Sequence, residues 1–129
     1  MLREIFTRLT KRCDKFEHYF PLYEKHFSKY IGKSPRILEI GVRGGGSLQM
    51  WQKYFGEGTY VHGIDIDAKC KAHEDIDNNI HVTIGDATDP VFVEREMSAL
   101  LFSYSHSIIE FCSIEQLARC LGLYQVHID

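Results

Sequence analysis

Three short apolar runs in this sequence predict β-strands of one sheet. Residues 36–40 form an uninterrupted run typical of a buried strand, and residues 60–64 and 80–84 follow it at similar intervals. Segments with helical spacing lie between these runs. Strands that alternate with helices are typical of α/β proteins, so the pattern predicts an α/β fold with a mainly parallel sheet.

Apolar positions at helical spacing predict the intervening helices. Residues 21–31 begin with Pro21 in a first-turn position and are followed by Gly32, which suits the end of a helix. The aromatic residues of segment 16–31 are interpreted as core packing. Further helices are predicted at residues 47–55, 68–76, 90–100 and 107–121, and a last strand at residues 123–128.

Composition restricts the chain to one domain. Its 129 residues are 44% hydrophobic and 26% charged, and no Gly, Pro or Ser-rich stretch marks a linker. A formal net charge of −3 predicts no general attraction to nucleic acid or to anionic lipid. No apolar run reaches the roughly 20 residues that cross a bilayer, and the first residues do not resemble a signal peptide. We therefore expect a cytoplasmic protein with neither a nucleic-acid nor a membrane partner.

The cysteines and histidines show no spacing typical of a metal site. The four cysteines are far apart in the sequence and include no CxxC pair. The seven histidines are scattered over several predicted elements. We expect reduced cysteines without a metal, and surface or partly packed histidines.

A cluster of three glycines at residues 44–46 connects the first predicted strand to a helix. Such a turn exposes backbone N–H groups at the positive end of the helix dipole, which suits a phosphate or a carboxylate. The dinucleotide fingerprint G-x-G-x-x-G needs a second glycine at the position of Arg43, where the backbone must approach a pyrophosphate. The sequence therefore argues against a nicotinamide dinucleotide. It leaves S-adenosylmethionine, whose amino-acid end carries a carboxylate, as the alternative.

Two acids follow the next two predicted strands. Asp65 comes 24 residues after Gly41, at a strand end where a carboxylate can accept hydrogen bonds from both hydroxyls of a ribose. Asp86 follows the third strand, within the Gly-Asp-Ala string at residues 85–87. A structural alternative stays open for each acid, because Asp65 can cap the following helix and Asp86 can stabilise a turn before Pro90.

Residues 38–51, which read LEIGVRGGGSLQMW, resemble the first motif of class I S-adenosylmethionine-dependent methyltransferases. In that superfamily an acid, a glycine two residues later and another glycine four residues after that form the turn. Glu39, Gly41 and Gly45 fit this pattern. The resemblance implies a Rossmann-like, doubly wound sheet of about four or five strands, as an incomplete class I methyltransferase fold.

The resemblance also implies roles for individual residues toward S-adenosylmethionine. Glu39 would support the turn or the ammonium group of the cofactor, and Ser47 would hold its carboxylate at the start of the helix. Asp65 would bind the ribose. Asp86 would accept a hydrogen bond from the adenine amine, and Ala87 would supply a backbone contact.

A narrower resemblance covers residues 13–95. The string DKFEHYFPLYEKHF at residues 14–27, together with the glycine motif and the string GIDID at residues 63–67, is similar to the macrocin O-methyltransferase and cephalosporin hydroxylase group. This implies O-methylation of a small hydroxylated or sugar-containing acceptor. The single domain 1–129 then divides into an N-terminal helical segment (1–33), a cofactor-binding half (34–100) and a divergent C-terminal part (101–129).

The resemblance does not extend to the metal site of that group. There the fourth strand ends in Asp-Asp-Gly-Ser-His, whose acids bind a divalent metal, whereas this chain has FSYSH at residues 102–106. A divalent metal is therefore not expected, and Asp129 is the one acid that lies near a second acidic position of the group. His106 and His127 are candidates for the base that takes the acceptor's proton, and no residue is singled out as catalytic.

Three functional hypotheses follow from the sequence. The first is an S-adenosylmethionine-dependent O-methyltransferase. The second is a shortened or degenerate methyltransferase that binds the cofactor or a partner without catalysis, with an edge strand that a second subunit could cover in a homo-oligomer. The third is a nicotinamide-dependent dehydrogenase, which Arg43 disfavours.

Overall fold

A four-stranded parallel sheet organises the part of the chain that the structure describes. The structure is a computed structural model, and it describes residues 1–13, 15, 17–101 and 107–111. The strands are β1 (Arg36–Ile40), β2 (Tyr60–Asp65), β3 (Ile80–Ile84) and β4 (Ser107–Phe111). Their order in the sheet is β3-β2-β1-β4, and all three pairings are parallel. The predicted α/β fold with an incomplete Rossmann-like sheet is confirmed.

The strand order reverses beside β1. From β1 the chain adds β2 and then β3 on one side, and it crosses to the other side of β1 to form β4. In open parallel sheets, ligands bind beyond the carboxyl ends of the strands at such a reversal. The glycine turn, which directly follows β1, therefore lies at the edge where a ligand is expected.

In the described part of the chain, four α-helices and four short 3₁₀ segments precede or connect the strands. The helices are α1 (Leu2–Thr7), α2 (Phe20–Phe27), α3 (Gly46–Phe55) and α4 (Pro90–Leu101). The 3₁₀ segments are Glu17–Tyr19, Ser28–Tyr30, Ala68–His73 and Ile76–Asn78. The helices predicted after the first and third strands are confirmed. The helix predicted at 21–31 ends earlier as α2 and continues as 3₁₀, and the one predicted at 68–76 is 3₁₀ throughout its first six residues.

Residues 107–111 form a strand, so the helix predicted at 107–121 is wrong over these residues. They pair with β1 in register from Arg36 opposite Ser107 to Ile40 opposite Phe111. Short apolar runs fit both spacings, and backbone pairing with the neighbouring strand decides between them. The fourth strand begins at Ser107, so the FSYSH string at residues 102–106 precedes this strand in the sequence. The strand predicted at 123–128 lies outside the described residues.

Aromatic side chains fill the space between α2, α3 and one face of the sheet. Phe20 and Phe27 of α2 are buried, and the Trp51 ring centre lies 5.8 Å from the rings of both Phe27 and Phe55. Such pairs add about 0.5–1.5 kcal/mol each to the burial of their apolar surface. The interpretation of the aromatic residues before residue 31 as core is confirmed for these two phenylalanines.

The opposite face of the sheet is covered by α4. Leu38 and Ile64 are fully buried there, and Ala87 and Phe92 pack against them. Helices therefore pack on both faces of the sheet, and the glycine turn lies at its carboxyl edge. Among the described residues, no helix combines the length and the apolar character needed to cross a membrane.

Candidate functional site

The glycine turn reverses the chain between β1 and α3 through residues with positive φ. Gly41 and Gly45 have φ of +93° and +79°, and Arg43 between them has φ of +47°. A non-glycine residue in this region is uncommon and needs support from its surroundings. The Gly41 amide donates to the Ile64 carbonyl at 2.7 Å, and the Gly45 amide donates to the Val42 carbonyl at 2.9 Å. The turn is therefore fastened to the end of β2.

The Asp65 carboxylate also holds the glycine turn in place. Its Oδ2 accepts hydrogen bonds from the amides of Val42 at 2.9 Å and Arg43 at 3.2 Å, and its Oδ1 accepts one from the Asp67 amide at 2.9 Å. Burial raises the pKa of Asp65, but the three amide donors outweigh it, so the pKa lies below its usual value. An ionised acceptor thus stands at the carboxyl end of β2.

Cys70 lies against the same carboxylate. Its thiol donates to the Arg43 carbonyl at 3.6 Å. Burial, followed by the neighbouring Asp65 charge, raises the pKa of the Cys70 thiol to about 11. The thiol stays protonated at neutral pH and acts as a packing and hydrogen-bonding group rather than as a nucleophile.

Glu39 lies under the turn and is fully buried. The Ser47 hydroxyl donates to its Oε1, the Trp51 indole donates to its Oε2 at 2.8 Å, and the Lys15 ammonium lies 3.8 Å from Oε1. These contacts hold the start of α3 on β1. The predicted roles of Glu39 and Ser47 toward a cofactor stay predictions, and the Ser47 hydroxyl is directed at Glu39 in this structure.

Sequence reasoning did not find Lys15 or Trp51 as partners of Glu39. Trp51 follows Ser47 by four residues, so the two share one face of α3, and this spacing was an available signal. Lys15 had no comparable signal. Its contact with Glu39 joins residues that are far apart in the sequence, and only the fold brings them together.

The N-terminal segment lies directly on the glycine turn. We call residues 10–13 the strap. The Arg12 carbonyl accepts a hydrogen bond from the Gly46 amide at 2.8 Å. The Thr10 amide donates to Gln49 Oε1 at 3.1 Å, and Gln49 Nε2 donates to the Thr10 hydroxyl at 2.8 Å. A Cβ atom at Gly46 would lie 2.4 Å from the Arg12 carbonyl oxygen, so glycine there makes room for the strap.

A pocket of about 500 Å³ opens between the glycine turn and the 3₁₀ segment Ala68–His73. Acidic and basic groups both line it. The lining residues are Arg12, Arg43, Gly44, Asp65, Asp67, Lys69, Cys70 and His73. The structure thus places the predicted ribose acceptor Asp65 in a cavity of ligand size, with cationic side chains beside it.

Asp86 stands next to this pocket at the end of β3. The Gly85 amide donates to the Asp65 carbonyl at 3.0 Å, which places the two strand ends side by side. Asp86 is exposed, and its Oδ1 accepts hydrogen bonds from the Thr88 amide at 2.8 Å and the Thr88 hydroxyl at 2.6 Å. It therefore stabilises its turn, as the structural alternative expected, and its role toward adenine stays a prediction. Ala87 is half-buried.

The acceptor side of the site is not part of the described structure. His106, His127 and Asp129 all lie outside the described residues. Within residues 1–13, 15, 17–101 and 107–111, no three His, Cys, Asp or Glu side chains come together as a group that could hold a metal ion. The described residues therefore offer no ligand set for a divalent metal, and the candidate roles of His106, His127 and Asp129 stay predictions.

Part of the chain is similar in sequence to curated O-methyltransferases. It is 36% identical over 97 residues to demethylmacrocin O-methyltransferase of Streptomyces fradiae, covering 69% of this chain and 24% of that enzyme. It is 40% identical over 102 residues to mycinamicin VI 2''-O-methyltransferase of Micromonospora griseorubida, covering 73% and 25%. No family model matches the chain. The chain spans about a quarter of the length of these relatives.

Proposed function

We propose that this chain, a homologue of the macrocin O-methyltransferase and related tailoring enzymes, binds S-adenosylmethionine and takes part in O-methylation of a small hydroxylated or sugar-containing acceptor. The observation that carries the proposal is the Asp65 carboxylate. It stands ionised at the carboxyl end of β2, beside the glycine turn and at the wall of the 500 Å³ pocket. An ionised acceptor is the partner that the two ribose hydroxyls of the cofactor require.

S-adenosylmethionine, when bound, supplies an electrophilic methyl group on a sulfonium. The chain's own residues bind and orient the ligand. Asp65 accepts hydrogen bonds from the ribose diol, and the fixed turn sets the distance between this acceptor and the start of α3. Positioning of this kind contributes much of the rate of an in-line displacement, because two reactants held in the right orientation react in an effectively unimolecular step.

The glycine turn supports S-adenosylmethionine over a nicotinamide dinucleotide. A pyrophosphate needs a glycine at the position of Arg43, so that the backbone can approach it closely. Arg43 has a positive φ and is one of the residues that line the pocket, so this chain has an arginine at the position where a dinucleotide-binding turn has a glycine. The amino-acid end of S-adenosylmethionine needs less clearance.

The names of the relatives guide the choice of acceptor. One relative methylates at a 2''-oxygen of a mycinamicin, and another, from Streptomyces olivaceus, is a 2'-O-methyltransferase of a rhamnosyl tetracenomycin, 37% identical over 79 residues. A hydroxyl on a sugar is accordingly the acceptor class that we propose. We also propose the cytoplasm as the site of action, because the four cysteines are far apart in the sequence and show no spacing typical of a disulfide framework.

Calorimetric titration tests the proposal. S-adenosylhomocysteine, the demethylated cofactor, should bind the chain with a stoichiometry of one, whereas NADH at the same concentration should produce no heat of binding. Binding of NADH alone, or of neither ligand by a folded sample, would contradict the proposal. Methyl transfer from labelled S-adenosylmethionine to a panel of sugars then separates an enzyme from a protein that binds the cofactor without turnover.

A further inference from the structure

The groups expected to hold the carboxylate of the cofactor are already bonded within the protein. The Ser47 hydroxyl donates to buried Glu39. The Gly46 amide, the first of α3, donates to the Arg12 carbonyl, and the Gly45 amide donates to the Val42 carbonyl. A carboxylate that used these donors would have to displace the strap or break the turn. The start of α3 is therefore a poor place for the anionic end of the ligand.

The strap, whose Arg12 carbonyl accepts the hydrogen bond from the Gly46 amide, also contributes Arg12 to the lining of the pocket. The Arg12 main chain lies over the turn, because Cβ atoms at Gly44 and Gly46 would meet its carbonyl oxygen at 2.7 Å and 2.4 Å. Arg12 is one of the residues that line the pocket, together with Gly44 and Asp65. The strap does not fill the cavity, since about 500 Å³ remains with the strap in place. It forms one wall of the site.

We infer that Arg12 binds the amino-acid carboxylate of the cofactor, so that the docked strap is a part of the cofactor site. This inference rests on the proposed function. The ligand carries a diol and a carboxylate, and the residues that line the pocket include the ionised Asp65 for the diol and Arg12 for the carboxylate. A guanidinium matches a carboxylate with two parallel hydrogen bonds, which a lysine cannot do. Undocking the strap removes this partner, so strap docking and cofactor binding favour each other.

Three residues with cationic side chains line the pocket, and Arg12 is the one that the strap carries. Its main chain is fastened to Gly46, on the side of the cavity that the glycine turn forms. Lys69 belongs to the 3₁₀ segment on the other side of the cavity, next to Asp67, whose Oδ1 accepts from the Lys69 amide at 2.9 Å. Lys69 therefore provides a control for general charge effects in the same cavity.

Two ligands that differ only in the amino-acid part test the inference. S-adenosylhomocysteine has the carboxylate, and 5'-methylthioadenosine has the same thioether nucleoside without it. In Arg12→Gln, we expect the Kd for S-adenosylhomocysteine to rise about tenfold or more, as for loss of a hydrogen bond to a charged group, and the Kd for methylthioadenosine to stay within about twofold. Arg12→Lys, which keeps the charge but not the paired hydrogen bonds, should fall between wild type and Arg12→Gln.

Matched variants separate carboxylate binding by Arg12 from a general effect of charge or of substitution near the pocket. Lys69→Gln removes the same charge from the same cavity and should raise the Kd for S-adenosylhomocysteine by less than about threefold, because Lys69 belongs to the 3₁₀ segment on the other side of the cavity from the strap. Gln49→Ala removes both hydrogen bonds to the strap and should weaken S-adenosylhomocysteine more than methylthioadenosine. Gln52→Ala, on the next turn of α3, should change neither affinity.

Each outcome decides for or against the inference. A loss in Arg12→Gln that is confined to S-adenosylhomocysteine supports it. Equal affinity of Arg12→Gln and wild type, an equal loss for both ligands, or an equal effect of Lys69→Gln and Arg12→Gln would overturn it while the proposed function stands. Failure of folded wild type to bind either ligand would overturn the proposed function and the inference together.

Discussion

At the residue scale, the buried carboxylate of Glu39 and the ammonium of Lys15 depend on each other. Both side chains are almost completely withdrawn from solvent, at 0% and 3% exposure, and the Lys15 ammonium also lies 5.6 Å from the centre of the Trp51 ring. Removing one partner of a buried ion pair leaves a charge without compensation, and this costs more than the intact pair contributes. The pair fastens the segment after the strap to the strand that carries the glycine turn.

Lys15→Met should therefore lower the free energy of unfolding by about 3–5 kcal/mol, since Glu39 loses the cation that faces it. Lys15→Met combined with Glu39→Gln should be clearly less destabilised than the sum of the two single variants, because the double variant leaves neither charge alone. Urea unfolding of the four proteins measures this coupling. Simple additivity of the single effects would contradict the account of an interdependent pair.

At the element scale, two glycines, Gly45 and Gly32, have similar φ angles but different neighbours around the position of a Cβ atom. Gly45 precedes α3 with φ of +79°, and a Cβ there would lie 2.6 Å from the His73 ring. Gly32 follows the Ser28–Tyr30 segment with φ of +77°, and nothing lies within 4 Å of its Cβ position. Both positions require glycine for their conformation, and only Gly45 also requires it for space.

Gly45→Ala should be more destabilising than Gly32→Ala. Both variants incur the strain of a left-handed residue, about 1–2 kcal/mol, and Gly45→Ala adds an overpacking cost of about 1–3 kcal/mol from the contact with His73. The difference in free energy of unfolding between the two variants measures that contact. Equal destabilisation would show that His73 moves aside without cost.

A second element-scale feature joins β2, β3 and α4 through His62. Its Nε2 lies 2.6 Å from the Thr83 hydroxyl and 3.6 Å from the Glu96 carboxylate. Burial is the main reason why the pKa of His62 lies below its ordinary value of 6.5. The nearby charges of His81 and Lys71 lower the pKa further, whereas the carboxylates of Glu96 and Glu74 raise it by less than the other causes lower it. The folded protein thus keeps His62 neutral at a pH where the unfolded chain binds a proton.

The free energy of unfolding should consequently decrease as the pH falls below about 6.5, and the His62 contribution should be constant above that value. The sign follows because the unfolded state binds more protons in this range. Urea unfolding between pH 5 and 8 checks it, and His62→Gln should flatten the pH dependence. His26→Gln, at an exposed position on α2, should keep the slope of wild type. An unchanged slope in His62→Gln would contradict the prediction.

At the scale of the whole molecule, the sequence predicted features that rest on local patterns. β1, β2 and β3 appeared as apolar runs, and the turn with its two strand-end acids appeared as short motifs. The strand β4 was not found, because residues 107–111 become a strand through pairing with β1, which no local pattern encodes. The Lys15 contact with Glu39 and the strap on Gly46 were missed for the same reason, since folding brings distant residues together.

Asp65 is the centre of the proposed cofactor site at the carboxyl edge of the sheet. The most direct measurement compares the Kd for S-adenosylhomocysteine of wild type, Asp65→Asn and Asp67→Asn by calorimetry. Asp67 is a matched control, because it has the same charge two residues later and its Oδ1 caps the Lys69 amide.

The account predicts that Asp65→Asn raises the Kd by about 10- to 100-fold, because it removes the charged acceptor of the ribose hydroxyls and loosens the turn. Asp67→Asn should raise the Kd by less than about threefold. Thermal unfolding confirms that both variants are folded. Wild-type affinity in folded Asp65→Asn, or the same loss in both variants, would contradict the account.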